Sequence, residues 1–172
     1  MAVKNSGETP LHFAARYGHE TAARLLIENG ANARAVDVWG QTPLHLAAMK
    51  GHETAAQLLI ENGADALVAT KDGRTPLHSA AENGREMAAR LLIEKGADVL
   101  ATTKDGWTPL HFASRSGIEM IARLLIESGA DVLAATEDGW APLHFAAENG
   151  CETAARLLIQ MGADVLATAK DE

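Results

Sequence analysis

Lys104-Asp105-Gly106-Trp107-Thr108-Pro109-Leu110-His111 reads as a turn running into a helix. Asp105-Gly106 offers the positive φ values that a tight turn needs. Thr108 is placed to cap the helix, and Pro109 takes the first helical position, where its missing N–H costs nothing. That helix is expected from about Pro109 to Ser116 and stops at Gly117, a residue suited to a left-handed cap. A second helix is expected from near Ile118 to just before Gly129, with Ile121, Ala122, Leu124, Leu125 and Ile126 as a broad apolar face. Ala130-Asp131-Val132-Leu133-Ala134 is then expected to be extended and to lead into the next turn.

The same unit recurs along the chain. Thr9-Pro10-Leu11-His12, Thr42-Pro43-Leu44-His45, Thr75-Pro76-Leu77-His78 and Thr108-Pro109-Leu110-His111 are spaced 33 residues apart, and Ala141-Pro142-Leu143-His144 follows at the same interval with one change. Residues 70–102 match residues 103–135 at 24 of 33 positions, too many for an accident of composition. One helix pair cannot bury its apolar face alone, so such a period predicts stacking of neighbours. The expected fold is an all-α solenoid of helix-turn-helix units in a single domain over residues 1–172. Its units fall at about 4–36, 37–69, 70–102, 103–135 and 136–168, with a tail at 169–172. Glu20 and Arg24, Glu86 and Arg90, Glu119 and Arg123, and Glu152 and Arg156 stand four apart, acid first, as solvated pairs on the second helix; Gln57 interrupts the series.

Composition narrows the function. Apolar residues are 47% of the chain but aromatics only 4%, so alanine and leucine must build the core, which requires closely packed helices. A net charge of −8 argues against nucleic acid and against an anionic membrane surface. No apolar run approaches the roughly 20 residues of a membrane span. The start, Met1-Ala2-Val3-Lys4-Asn5, has no signal-peptide apolar region. Cys151 is the one cysteine, which rules out an internal disulfide and makes a reducing, intracellular setting the simplest reading.

The pattern Gly-x-Thr-Pro-Leu-His-x-Ala-Ala-x-x-Gly, followed by Leu-Leu-Ile-Glu-x-Gly-Ala-Asp, closely resembles the ankyrin repeat, and it covers the chain from about Asn5 to Lys170. The resemblance implies stacked helix pairs with β-hairpin loops projecting at right angles, and protein recognition on the concave face. Leu67, Leu100, Leu133 and Leu166 stand where that family often has asparagine, and Thr70, Thr103 and Thr136 where it often has aspartate. Those departures put the hydrogen bonding of the loops in question, not the fold.

The candidates for chemistry all have plainer explanations. The repeat histidines His12, His45, His78, His111 and His144 lie on helices about 8–10 Å apart, too far for neighbours to share a zinc ion. Each is expected to bond the threonine at its own helix start (Thr9, Thr42, Thr75, Thr108) and a neighbouring loop carbonyl. His144, with Ala141 in place of threonine, is expected to lack one partner. His19 and His52 open second helices and are expected to be exposed, in places held elsewhere by Arg85, Ile118 and Cys151. Cys151 has no base beside it in its own helix and reads as a lone surface thiol. Asp72, Asp105 and Asp138 are turn formers. No catalytic residue, cofactor site or metal site is expected.

Binding is expected where the repeats differ. Just before the Thr-Pro-Leu-His motif the residues are Glu8, Gln41, Arg74, Trp107 and Trp140; two places earlier they are Ser6, Trp39, Asp72, Asp105 and Asp138. At the end of the first helix the pairs are Arg16-Tyr17, Met49-Lys50, Glu82-Asn83, Arg115-Ser116 and Glu148-Asn149. Resemblance to the family puts these positions on the hairpins and the concave helix face. Tyr17, Trp39, Lys50, Arg74, Trp107, Arg115 and Trp140 are the candidate contacts for a protein partner, with Trp107 and Trp140 as neighbours flanked by Arg74 and Arg115. The alternative role for these two tryptophans is support of repeat stacking. Trp39 has no aromatic counterpart in the other repeats.

The terminal repeats are as apolar as the inner ones: Leu11, Phe13, Leu25, Leu26 and Ile27 at one end, Leu157, Leu158 and Ile159 at the other. A stack normally hides such faces under polar caps. The chain therefore reads as an excised piece of a longer array or as an engineered one, with end-to-end self-association or frayed ends expected. A protein-binding module is the leading reading. A scaffold with no partner of its own, and an accessory domain of a larger protein, are the rivals.

Overall fold

The computed structural model describes residues 6–170. The expected start of the first unit at residue 4 and the end of the tail at 172 lie outside the described residues. Five helix pairs follow one another: α1 (Pro10–Arg16) with α2 (Glu20–Glu28), α3 (Pro43–Lys50) with α4 (Glu53–Glu61), α5 (Pro76–Glu82) with α6 (Glu86–Glu94), α7 (Pro109–Arg115) with α8 (Glu119–Glu127), and α9 (Pro142–Glu148) with α10 (Glu152–Gln160). The fold is an all-helical solenoid in two layers. The first helix of each pair packs on the first helix of the next, and the second helices likewise. Alanine pairs such as Ala47-Ala48 and Ala80-Ala81 are fully buried and let the first helices approach closely. The second helices carry leucines and isoleucines, which hold them further apart. The stack therefore bends with the first helices on its inner side.

Each helix start is tied down by its histidine. The Thr42 N–H donates to His45 Nδ1 at 3.1 Å, and Thr42 Oγ1 lies 2.8 Å from the same nitrogen. The other ring nitrogen, Nε2, donates to the Arg74 carbonyl of the next repeat at 3.0 Å. His12, His78 and His111 do the same to Gln41, Trp107 and Trp140, each with a threonine of its own. One fully buried imidazole thus satisfies a helix N-terminus and staples two repeats together. His144 takes the Ala141 N–H at 3.0 Å but has no hydroxyl beside it, and its Nε2 meets the Ala167 carbonyl.

Two expectations about the loops need correction. None of the described residues lies in a strand. The β-hairpins are tight turns, each closed by two backbone bonds such as Thr70 N–H to Arg74 O at 2.8 Å and Gly73 N–H to Thr70 O at 2.9 Å. Successive turns are linked by a single bond apiece, for example Lys71 N–H to Trp39 O and Lys104 N–H to Asp72 O. That is too little pairing to make a sheet. The segment expected to be extended, Ala130–Ala134, is also a turn: Asp131 Oδ1 accepts the Leu133 N–H at 2.8 Å, and Asp131 O accepts from Ala134. The aspartate side chain closes this turn and leaves Leu133 exposed, as Asp65 and Asp98 do for Leu67 and Leu100.

The threonines that stand in for aspartate keep part of the loop bonding. Asp37 Oδ1 accepts the N–H groups of both Trp39 and Gln41 at 2.8 Å. Thr70, Thr103 and Thr136 accept only the second of these, from Arg74, Trp107 and Trp140, at 3.0–3.1 Å. At Gly73, φ is +89°, and a Cβ there would come within 2.9 Å of the Thr103 backbone, so the turns can stack only because this position carries no side chain.

Candidate functional site

Two variable positions, the residue before the motif and the one eight further on, touch each other in three of the repeats. Glu8 is ion-paired with Arg16. Arg74 is ion-paired with Glu82 at 2.7 Å, the same pair with its ends exchanged. Trp107 carries the Arg115 guanidinium over its ring, 4.8 Å from the centroid. Variation between repeats is therefore partly a change of partners inside these repeats. Glu82 also accepts Arg115 of the following repeat at 2.6 Å, so one carboxylate holds two guanidinium groups. Arg74 lies over the ring of Phe112 as well, 4.6 Å from its centroid.

The candidate aromatic anchors are not alike. Trp107 sits between Phe112 and Phe145, with ring centroids 4.9 and 4.1 Å away. Trp140 packs on the other side of Phe145 at 4.9 Å. Phe145 is the ring common to both tryptophans, and both are half-buried by it. Trp39 is 54% exposed, and no aromatic ring lies against it among the described residues. Tyr17 is exposed at the first repeat and stacks on His19. Lys50 is exposed at the end of α3.

Trp39 borders a depression of about 580 Å³, lined also by Met49, Arg74, Ser79, Glu82 and Asn83. Its cause is a single small residue. Ser79 occupies the place held by Leu46, Phe112 and Phe145 in other repeats, and those larger side chains are buried there. Arg74 and Asp72 form the rim, 3.3 Å apart. Partial burial works against the Asp72 charge, but the Thr70 hydroxyl, the backbone and Arg74 hold its carboxyl below the ordinary value. The candidate contacts thus gather in two places. Trp39 and Arg74 meet at this depression, and Arg115, Trp107 and Trp140 form the aromatic row beside it. Tyr17 lies apart at the first repeat. Ser79 is absent from the sequence-based binding positions, and Met49 and Glu82 are among the variable positions but not among the named contacts. The signal for Ser79 was present in the sequence, as a small polar residue breaking a periodic apolar position.

The repeat histidines are engaged in the structural bonds given above. Burial pushes His78 and His111 down to about 4 and lowers His45 as well, so these rings are neutral at physiological pH. No group of three or more potential metal ligands occurs among the described residues. His52 is half-buried rather than exposed. Its Nε2 donates to the Arg16 carbonyl of the repeat before, over Gly18. Arg85 reaches the Met49 carbonyl in the same way, and the Cys151 thiol lies 3.7 Å from Arg115 O. This position accepts varied residues because its shared task is to cover a glycine, which Ile118 does for Gly84 without any side-chain hydrogen bond. No helix among the described residues is long and apolar enough to cross a membrane.

A family model described as ankyrin repeats (3 copies) matches the chain in four overlapping segments, residues 1–70, 25–103, 66–136 and 100–169. No curated protein matches it.

Proposed function

Since the chain belongs to the ankyrin-repeat family, whose members generally bind protein partners, we propose that it is a non-catalytic interaction module holding a protein along its inner, concave side. The observation that carries this reading is the depression at Ser79, with Trp39 exposed on one wall and Met49 beneath. An exposed tryptophan beside an unfilled hollow is the arrangement of an interface anchor site. Most charges around it are compensated, Arg74 by Asp72 and Glu82 and Glu82 by Arg115, while Lys71 makes no ion pair among the described residues. An uncharged, large apolar side chain of the partner is the natural occupant. Trp39 and Arg74 carry most of the contact, with Lys50, Arg115, Trp107, Trp140 and Tyr17 extending the surface to either side. The net charge of −8 is unsuited to nucleic acid. The lone cysteine is consistent with an intracellular setting.

The test is the affinity of a selected protein ligand for Trp39→Ala and for Ser79→Phe, which fills the hollow as Phe112 does in the next repeat. Both are expected to weaken binding by at least tenfold, about 1.4 kcal/mol, with the helical circular dichroism unchanged. Parental affinity in both variants overturns the assignment.

A further inference from the structure

The two ends of the stack carry the separated halves of a repeat junction. Phe13 is 44% exposed, whereas Leu46, Phe112 and Phe145 at the same position are at most 7% exposed. Leu25 is 61% exposed, against 2–9% for Leu58, Leu91, Leu124 and Leu157. At the other end Leu143, His144, Ala147 and Ala155 line an open hollow of about 330 Å³ with Ile159, although Leu110, His111 and Ala122 at equivalent places are fully buried.

The side chains at these ends also correspond. Inside the chain, Trp107 holds Phe145 of the next repeat at 4.1 Å, and His111 meets the same ring edge-on at 5.7 Å. Moved on by one repeat, the pair becomes Trp140 and His144 facing Phe13 of a second copy. Glu82 binds Arg115 of the next repeat at 2.6 Å. Moved on by two repeats, that pair becomes Glu148, which makes no ion pair among the described residues, facing Arg16 of the second copy. The carbonyl of Glu8 then comes to His144 Nε2, which it would share with the Ala167 carbonyl already bonded there, as the Trp140 carbonyl comes to His111.

We propose that this chain binds a second copy of itself head to tail, the α9–α10 end of one seating the α1–α2 end of the next as a continued repeat junction. Such an interface is heterologous: each copy keeps one free end, and the assembly grows as an open chain. It uses the end faces of the stack, shares Trp140 with the surface proposed above, and does not rest on that partner reading.

Sedimentation of the 172-residue chain from micromolar to millimolar concentration tests it. The average mass is expected to rise continuously with concentration. Leu25→Glu blocks one end and Ile159→Glu the other; each side chain is already exposed, and unchanged circular dichroism and melting temperature report that the variants fold. Each variant alone is expected to stay monomeric, and their equimolar mixture to form a dimer and nothing larger. Glu148→Arg is expected to weaken parental association by about tenfold. A parent that is monomeric at millimolar concentration, single variants that dimerise through like ends, or a mixture that stays monomeric overturns the proposal.

Discussion

The Trp107 indole lies 4.1 Å, centroid to centroid, from the ring of Phe145 in the following repeat, with Arg115 over its plane. This residue is part of the junction between two repeats. Trp107→Ala is expected to destabilise the fold by about 2 kcal/mol, because it removes a half-buried aromatic ring and two ring partners lose their contact. Trp39→Ala is expected to change stability by no more than about 0.5 kcal/mol, the usual range for an exposed site. Chemical denaturation of the two variants checks this; equal losses would contradict the separate roles given to them.

Ser114 sits in α7 with no solvent exposure, and its hydroxyl has no hydrogen-bond partner. Alanine fills the equivalent place in the other repeats, at Ala15, Ala48, Ala81 and Ala147. A buried, unpaired hydroxyl costs free energy that alanine does not. Ser114→Ala is expected to stabilise the protein by about 1 kcal/mol, read as a higher denaturation midpoint at unchanged slope.

Ala141 opens α9 where the other four repeats have threonine. Ala141→Thr would put an oxygen beside His144 Nδ1, as Thr108 does for His111 at 2.8 Å. A gain of about 0.5–2 kcal/mol is expected. It should appear as slower hydrogen exchange in α9 and α10, with little change in α1 and α2. No slowing would mean that the backbone N–H of residue 141 already holds the imidazole well enough.

Burial lowers His78 and His111 from 6.5 to about 4. Below pH 6.5 the unfolded chain takes up protons at these positions and the folded chain does not. Stability is therefore complete above pH 6.5 and is lost progressively as the pH falls toward 4, by about 3 kcal/mol for each of the two histidines. Protonation at Nδ1 would also break the bond from the threonine N–H, which gives the loss a structural cause. Proton NMR of the imidazole rings is the direct check. Both are expected to stay neutral at pH 5, and midpoints near 6.5 would contradict this.

The Thr-Pro-Leu-His motif, its interval and the flanking glycines are enough to read five stacked helix pairs, since the threonine and proline act within their own turn of helix and successive repeats state them again. The loops were harder to read. Asp131 closes a turn with its side chain, a bond that no hydrophobic period signals, and a single bond between neighbouring turns is not a strand ladder. The exposure of His52 was misjudged for a related reason: its partner is the Arg16 carbonyl of the preceding repeat.

The sequence alone determined the architecture, because helix caps and apolar periodicity are local and every repeat states them again. Only the tertiary structure decided which variable residues remain available to a partner. Arg74 and Arg115 share Glu82, Trp107 and Trp140 share Phe145, and Trp39 stands free beside the hollow that Ser79 leaves. Those outcomes depend on the volume and charge of side chains about one repeat away along the chain, brought into contact by stacking, so no single repeat contains them.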